Sequence, residues 1–272
     1  MPAHDVPSAL LDELQEVALR VATGAAELLQ PYSDVRLEHV NTKSSPTDLV
    51  SEADRASEAY IVSELHRSRP GDALLSEEGA SHDGTTKVSW VADPLDGTTN
   101  FFYQVPAYSV SLAACYEGDP VVGVVVDPSR HETWSAAQGR GAWCNDVPCH
   151  VAGGRSELET ALVGTGFGYR RENRVVQAAI LAHLLPRIRD IRRIGSAALD
   201  LCWVANGRFD AYFESGLHYW DWAAGSVVCQ EAGGVIATLP GDIVLASTPQ
   251  LLTPLTNLLA DAQTEAQSVG LS

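Results

Sequence analysis

The spacing of apolar residues predicts a helix near the start of the chain. Between residues 8 and 30 the apolar side chains recur at intervals of three and four, the period of a helix with one buried face. These side chains are Leu10, Leu11, Leu14, Val17, Ala18, Val21, Ala25 and Leu28. Pro31 follows the pattern, and we expect the helix to stop there.

A second helix is expected from Ser51 until Arg69-Pro70-Gly71 ends another apolar stripe. Ser51 with Asp54 three residues later resembles a capping box, in which the two side chains hydrogen-bond to backbone groups at the helix start. This pattern gives Asp54 a structural role at the N-terminus of the helix.

From about residue 73 to residue 143 the pattern changes to short apolar runs of strand length, separated by Gly, Asp and Pro turns. The runs are 73–75, 88–92, 109–115, 120–126 and 132–137. Because the connections between them are short, we expect neighbouring strands to be antiparallel.

Beyond Gly153-Gly154, predicted strands and helices alternate. They are a strand at 161–163, a helix near 172–188, a helix opened by Ser196, a strand at 210–214, a helix near Trp222 and a last helix at 250–259. Gly207 and Gly233 stand where glycines commonly end helices. This alternation favours a layered α/β arrangement for the second half.

The charge of the chain limits its partners. Its 272 residues carry a formal net charge of −17, which argues against nonspecific binding of nucleic acid and against electrostatic binding to an acidic membrane. An anionic substrate would need cations to approach such a protein. We therefore predict no nucleic-acid partner and no membrane partner.

The cysteines and the first residues favour a cytoplasmic protein. Five cysteines, without a C-x-x-C pair and mostly in apolar surroundings, are typical of reduced thiols in a core. The first residues lack the basic and apolar regions of a secretion signal, and no segment approaches the length of a membrane span.

The stretch Asp93-Pro94-Leu95-Asp96-Gly97-Thr98-Thr99-Asn100-Phe101 carries the strongest chemical signal. Two carboxylates with a backbone carbonyl between them suit a hard cation such as Mg2+, and the following Gly-Thr-Thr offers backbone N–H groups to an anion. A strand-to-helix turn with Asp96 as the cap would use the same residue types. The shorter pattern alone leaves both interpretations open.

The full string closely resembles DPIDGTTNF, the signature of the inositol monophosphatase family of metal-dependent phosphomonoesterases. Further blocks follow the family in the same order. They are Lys43–Val50 with Asp54, Ser76-Glu77-Glu78-Gly79, Gly195-Ser196-Ala197-Ala198, Trp220-Asp221-Trp222-Ala223-Ala224-Gly225 and Glu231-Ala232-Gly233-Gly234. Ser76 departs from the family, which has glycine there, so the metal ligand is open between Glu77 and Glu78.

The resemblance implies an architecture. We expect one inositol-monophosphatase-like domain over residues 1–272, folded as a five-layer αβαβα sandwich. The active site would lie between a half of residues 1–150 and a half of residues 151–272. The family also implies a homodimer and inhibition by lithium.

The resemblance further implies a Mg2+-dependent phosphatase with two or three ions per site. Glu77, Asp93 and the Leu95 carbonyl would hold the first ion, and Asp93, Asp96 and Asp221 the second. A third, looser ion is implied near Glu77.

Catalytic and substrate roles are implied as well. Thr98 would orient the attacking water, with Asp54 behind it and Glu77 sharing the proton traffic. The amides of Gly97 and Thr98 would face the phosphate. Asp96 and Asp221 are also expected to contact the substrate.

The residues expected to select the substrate come later in the chain. Ser196 and Ala197 would offer a hydroxyl and backbone groups to a sugar-like ring, and Glu214 would accept hydrogen bonds from its hydroxyls. Arg192 is a candidate partner that would fix Glu214. Lys43 is a weak candidate near the site.

We therefore expect hydrolysis of myo-inositol monophosphate. The alternatives are phosphatases for fructose 1,6-bisphosphate, for 3′-phosphoadenosine 5′-phosphate or for histidinol phosphate, and a partner protein of the transcription machinery with residual activity. A serine hydrolase built on His218 and Ser215 lacks a nucleophile elbow in the sequence. His218, Trp220 and Trp222 are expected to be structural.

Overall fold

A seven-stranded sheet forms the centre of the first half. The structure is a computed structural model that describes residues 5–33, 41–42, 49–50, 52–153 and 156–269. The strands are β1 (Asn41–Thr42), β2 (Leu49–Val50), β3 (Ala73–Ser76), β4 (Val88–Asp96), β5 (Ser109–Tyr116), β6 (Asp119–Asp127), β7 (Glu132–Ala137), β8 (Ala142–Cys144) and β9 (Val147–Cys149). β1 and β2 pair with each other, and β3 to β9 form the sheet in chain order.

The predicted antiparallel pairing is confirmed for β4 to β7, and β8 and β9, which were not predicted, continue it. β3 is the exception, because it runs parallel to β4. The connection between these two strands, residues 77–87, is long enough to return the chain to the same end of the sheet.

Two helices, α1 (Ser8–Ser33) and α2 (Glu52–Ser68), cover one face of this sheet. The expected end of α1 is wrong, since Pro31 lies inside the helix. Only two residues follow it, so the missing backbone donor affects the last turn alone. Leu28 is 39% exposed whereas Leu29 is fully buried, which shifts the end of the buried face by one residue. Lys43 and Ser51 lie outside the described residues.

The second half contains a five-stranded sheet. Its strands are β10 (Leu162–Thr165), β11 (Asp190–Arg192), β12 (Ala211–Ser215), β13 (Val235–Leu239) and β14 (Ile243–Ser247), in the order β11-β10-β12-β14-β13. β10 is parallel to both its neighbours, and the β12–β14 and β13–β14 pairs are antiparallel. The sequence patterns had indicated β10 and β12 only.

Five further helices complete the described residues. They are α3 (Thr98–Phe102), α4 (Arg171–Leu184), α5 (Ala197–Ala205), α6 (Tyr219–Glu231) and α7 (Pro249–Val269). α4 and α7 lie on the outer face of the second sheet, where they share a core with β10, β12 and β14. Gly207 and Gly233 follow α5 and α6 with positive φ, as expected for glycines that end helices.

α5 and α6 form the layer between the two sheets. Their core contains Val91 and Val125 from the first sheet and Tyr212 from the second. β6 and α6 are in close contact, because a Cβ at Gly123 would lie 2.2 Å from the carbonyl oxygen of Ala224. The layers are therefore helix, sheet, helix, sheet, helix, which confirms the expected αβαβα sandwich.

The five cysteines are free thiols, as the sequence predicted. Burial raises the pKa of Cys115, Cys144 and Cys149 to about 11. None of the helices in the described residues combines the length and the apolar character that a membrane crossing requires.

Candidate active site

β4 brings two carboxylates to the boundary between the halves. Asp93 pairs with Ser111 of β5 and Asp96 with Ser109, and the register shifts between them. Pro94 lies in this interval and has no N–H to donate to the ladder. The N–H of Leu95 donates instead to Asp93 Oδ1 at 3.0 Å, which fixes that carboxylate against its own backbone.

Gly97 makes the turn from β4 into α3. Its φ of 91° lies in the left-handed region, and a Cβ would lie 3.0 Å from the Ala107 carbonyl oxygen and 3.2 Å from that of Gly195. A side chain is therefore excluded by both conformation and space. Asn100, in the same short helix, donates to the carbonyls of Ala107 at 2.7 Å and Ile194 at 2.8 Å. This amide ties the motif to the second half of the chain.

α2 supports the same turn from the other side. Ser57 donates to the Pro94 carbonyl at 2.7 Å, and Asp54 is fully buried one turn earlier in the helix. Thr98 is 8% exposed and its hydroxyl donates to the Leu95 carbonyl at 3.1 Å. The predicted water-orienting hydroxyl and the predicted carbonyl ligand are thus in direct contact.

Four carboxyl groups act on one another at this place. Burial raises the pKa of Asp93 well above its usual value, and the charges of Glu77, Asp96 and Asp221 raise it further. Asp93 also shares a hydrogen bond with Glu77, which follows β3 and donates its N–H to the Ala92 carbonyl at 3.3 Å. These contacts favour Glu77 over Glu78 as the acidic group of the cluster.

The other two acids are perturbed in the same direction. Burial raises the pKa of Asp96 to about 7, against the lowering effect of hydrogen bonds from Ser196 and the Ala198 N–H. Burial and then the charge of Asp96 raise the pKa of Asp221 well above its usual value. Asp221 lies in the first turn of α6 and accepts from the His218 N–H at 2.6 Å.

The donor chemistry fits a hard divalent cation, because all of these groups offer oxygen. Within the described ranges, no three His, Cys, Asp or Glu side chains already stand in metal-ligand geometry. Burial is the largest cause of the raised pKa values, and repulsion between the like charges adds to it. A cation would reverse that repulsion and draw the carboxylates together.

The N-terminus of α5 holds Asp96 in place. The Ser196 hydroxyl donates to Asp96 Oδ2 at 2.7 Å and the Ala198 N–H donates to the same oxygen at 2.8 Å. Ser196 is 1% exposed, caps α5 by accepting from the Leu199 N–H, and lies 3.1 Å from the hydroxyl of Ser109. Ala197, the other predicted substrate contact, is 7% exposed.

Glu214 lies in β12, close to the carboxylate cluster, since its charge is among those that raise the pKa of Asp96. The Tyr212 hydroxyl donates to Glu214 Oε2 at 2.7 Å. Burial raises the pKa of Glu214, while Tyr212 and the charge of Arg193 oppose that shift. The carboxylate of Glu214, which is predicted to contact the substrate, is thus held by a hydrogen bond from a buried tyrosine.

Comparison with known proteins identifies the family of the chain. Residues 10–269 match the model of the inositol monophosphatase family. The chain belongs to the inositol monophosphatase family. Among its relatives is the inositol-1-monophosphatase SuhB of Mycobacterium tuberculosis, 46% identical over 230 residues that cover 79% of each chain. The Nus factor SuhB of Pseudomonas aeruginosa is 41% identical over 238 residues, 85% of this chain and 87% of the relative.

Solved structures share the fold. The Mycobacterium tuberculosis SuhB structure superposes with a TM-score of 0.80 at 40% identity and covers 92% of this chain and 96% of its own. An inositol monophosphatase from Anabaena gives 0.82 at 34% identity, over 93% and 97% of the two chains. Family membership supports a phosphatase that depends on metal ions.

One predicted contact of this family member is wrong. Arg192 donates to Asp190 at 2.6 Å and to the Ile191 carbonyl, and it is exposed, so it is not the partner of Glu214. The charge of its neighbour Arg193 acts on the site instead, because it lowers the pKa of both Glu214 and Asp200. Arg193 directly follows β11.

The residues around Asp221 have the predicted structural roles. His218 precedes α6 and stacks on Trp220 with ring centroids 4.7 Å apart. Trp222 packs against Tyr219, edge to face, at 5.2 Å. Ser215 hydrogen-bonds with Gln177, so His218 and Ser215 form no nucleophile pair.

Several residues near the site were not among the predicted ones. Asp200 is 1% exposed, and its Oδ1 has no hydrogen bond within the part of the chain that the structure describes. Burial raises its pKa well above the usual value, with the charges of Glu214 and Asp96 next in size. Its spacing of four from Ser196 would have revealed it, because both lie on one face of α5. Ser57 and Ser109 had no comparable signal.

Proposed function

We propose that this protein is a Mg2+-dependent phosphatase that hydrolyses myo-inositol monophosphate to inositol and phosphate by direct attack of water. The observation that carries the proposal is the cluster of Asp93, Asp96 and Asp221, whose pKa values are raised by burial and further by the charge of Glu77. Buried acids that raise one another's pKa are costly for a fold and are typical of functional sites.

The ligand assignment rests on the resemblance to the family, and the oxygen donors at the site are compatible with it. Glu77, Asp93 and the Leu95 carbonyl would hold one ion, and Asp93, Asp96 and Asp221 a second, with a third near Glu77. Such ions lower the pKa of water, neutralise phosphoryl oxygens and stabilise a departing alkoxide.

The surrounding residues orient water and phosphate. Since the Thr98 proton is directed to the Leu95 carbonyl, the Thr98 oxygen has lone pairs free to accept a hydrogen bond from the attacking water. Asp54 supports this hydroxyl from α2, and Glu77 takes part in proton transfer. The amides of Gly97 and Thr98 bind phosphoryl oxygens.

Selection of the polyol rests on Glu214, with backbone groups of Ser196 and Ala197 at the start of α5. A pocket that hydrogen-bonds hydroxyls discriminates strongly against ligands that lack them. The phosphates of fructose, of nucleotides and of histidinol remain the alternative substrates, because the carboxylate cluster addresses any phosphoryl group. We also propose lithium inhibition and a homodimer, as in the family.

The test is a substrate panel with metal-stripped protein, assayed with and without Mg2+. The substrates are inositol 1-phosphate, fructose 1,6-bisphosphate, 3′-phosphoadenosine 5′-phosphate and histidinol phosphate. Selective turnover of inositol 1-phosphate that requires Mg2+ supports the proposal. Selective turnover of another substrate removes inositol phosphate as the substrate, and no turnover by folded, Mg2+-loaded protein removes the enzymatic function.

A second function, as a transcription partner, is favoured by the relatives named Nus factor SuhB, such as that of Pseudomonas aeruginosa. It is compatible with a working site, because a partner surface needs none of the carboxylates. Co-purification of tagged protein with RNA polymerase, compared between wild type and Asp93→Asn, would separate this role from catalysis. Absence of polymerase from both samples would count against it.

A further inference from the structure

The position of Glu214 depends on a short backbone segment beside it. Residues 166–168, here called the glycine loop, begin the connection from β10 to α4. A Cβ at Gly166 would lie 1.8 Å from Glu214 Oε2, so the backbone of this loop is in direct contact with the carboxyl group. Tyr212 donates to the same oxygen, which leaves Oε1 for a substrate hydroxyl. A shift of the glycine loop would therefore shift Glu214.

One side chain ties the glycine loop to β12. Gln177 of α4 is 8% exposed and accepts from the Gly168 N–H at 3.1 Å with Oε1. Its Nε2 donates to the Ser215 hydroxyl at 3.0 Å, next to Glu214 in the chain. Because the Gly168 N–H can only donate, the amide oxygen must face the loop and the amide nitrogen must face the strand.

The two hydrogen bonds of Gln177 close a small space beside Glu214. The space enclosed between the glycine loop, α4 and β12 amounts to about 10 Å3, roughly one water molecule. α4 itself is anchored elsewhere, since Ile180 and Leu184 are buried in the core that it shares with α7. The amide is therefore not needed to hold the helix, and its bonds act on the loop and on the strand.

We propose that Gln177 is a specificity-determining positioning residue, whose amide fixes the glycine loop against β12 and thereby aims Glu214 at the hydroxyls of a polyol phosphate. The inference rests on the proposed function, because Glu214 matters only for a substrate that carries hydroxyls. Phosphate binding and hydrolysis at the carboxylate cluster do not depend on it.

The test compares two substrates in Gln177→Leu, which removes both hydrogen bonds at similar volume. With saturating Mg2+, the KM for inositol 1-phosphate should rise about three- to tenfold, the range for one or two lost hydrogen bonds. The kcat/KM for 4-nitrophenyl phosphate, which has no hydroxyls beyond the phosphate, should stay within about twofold. Ser215→Ala removes the strand end of the bridge and should move the same ratio.

Gln263→Leu is the matched control, because Gln263 bridges α7 to the Pro240 carbonyl far from Glu214. It should leave both substrates unchanged. Equal losses for both substrates, or unchanged ratios in folded Gln177→Leu and Ser215→Ala, would overturn the inference alone. Wild-type protein that hydrolyses 4-nitrophenyl phosphate but no polyol phosphate would overturn the proposed function, and this inference with it.

Discussion

The hydrogen bonds of Ser196 can be assigned from its single proton. Its hydroxyl donates to Asp96 Oδ2, so the bonds to the Leu199 N–H and to Ser109 must both be accepted. Ser109 is then the donor in that pair, and Ser196 has no capacity left for a ligand. The predicted contact between this hydroxyl and the substrate stays untested, but the geometry favours a role through Asp96.

We predict that Ser196→Ala weakens the binding of Mg2+ more than the binding of substrate. Loss of one charge-assisted hydrogen bond to Asp96 should raise the Kd for Mg2+ about tenfold, as measured by calorimetry on metal-stripped protein. The KM for inositol 1-phosphate at saturating Mg2+ should change less than about twofold. Ser226→Ala, which removes another buried serine that bonds a carbonyl, is the control. A larger effect on KM than on Mg2+ would restore the direct substrate contact.

Asp93→Asn separates repulsion from metal binding. Burial and three neighbouring charges raise the pKa of Asp93, so its ionised form is unfavourable in the metal-free protein. At pH 8 the variant should unfold at the same or higher urea concentration than wild type without Mg2+, and should lose the stabilisation that Mg2+ gives wild type. A variant that is unfolded without Mg2+, or that is stabilised by it like wild type, would contradict the ligand assignment.

At the scale of elements, α6 is fixed at both of its ends. Asp221 lies in its first turn, and Glu231 at its end accepts from three consecutive backbone N–H groups of the β7–β8 turn. These are the amides of Gly139 at 2.9 Å, Arg140 at 3.1 Å and Gly141 at 2.9 Å. The turn therefore anchors the helix that presents Asp221 to the site.

Glu231→Ala should lower the free energy of unfolding by about 1–3 kcal/mol, because three backbone donors lose a charged acceptor but remain within reach of water. The measurement is urea denaturation with Mg2+ present. Glu231→Gln keeps one acceptor oxygen and should fall between the variant and wild type. An unchanged midpoint in Glu231→Ala would show that the turn contributes nothing to the stability of the helix.

The elements that the sequence predicted are those whose pattern is long. α1 repeats its apolar positions over several turns, and β5 and β6 are apolar runs bounded by turns. β8, β9 and β11 are three residues each, too short for a period to appear. β13 is only half-buried, so its apolar residues lack the contrast that marks a strand. Proline did not end α1 or α7, which contain Pro31 and Pro254.

At the scale of the whole molecule, the site is a seam between two halves. Asn100 reaches the Ile194 carbonyl, and Ser111 donates to the Trp220 carbonyl at 3.4 Å. The acids of β4 were predictable because they stand in one contiguous motif. Arg193 and Gln177 were not, because tertiary packing alone brings them close to Glu214.

The pH dependence of stability follows from the raised pKa values. A carboxyl with a higher pKa in the folded chain stabilises it below the unfolded value, about 4, and loses that contribution as the pH rises through the folded value. For Asp96 the folded value is about 7, and the pKa values of Asp93 and Asp221 are raised as well.

The melting temperature of metal-stripped protein should therefore decrease as the pH rises from 5 to 8. Saturating Mg2+ should stabilise the protein more at pH 8 than at pH 5, because binding requires ionised carboxylates. The measurement is a series of thermal melts with and without Mg2+. A melting temperature that rises with pH in the metal-stripped protein would contradict the mutual perturbation of these acids.

The central claim is that the carboxylate cluster performs phosphate hydrolysis with Mg2+. Its most direct test is phosphate release from inositol 1-phosphate by wild type and by Asp93→Asn, each folded and titrated with Mg2+. The account predicts release by wild type that is absent without Mg2+ and is lowered at least about a thousandfold in the variant. Release by Asp93→Asn at the wild-type rate, or by wild type without any divalent ion, would contradict it.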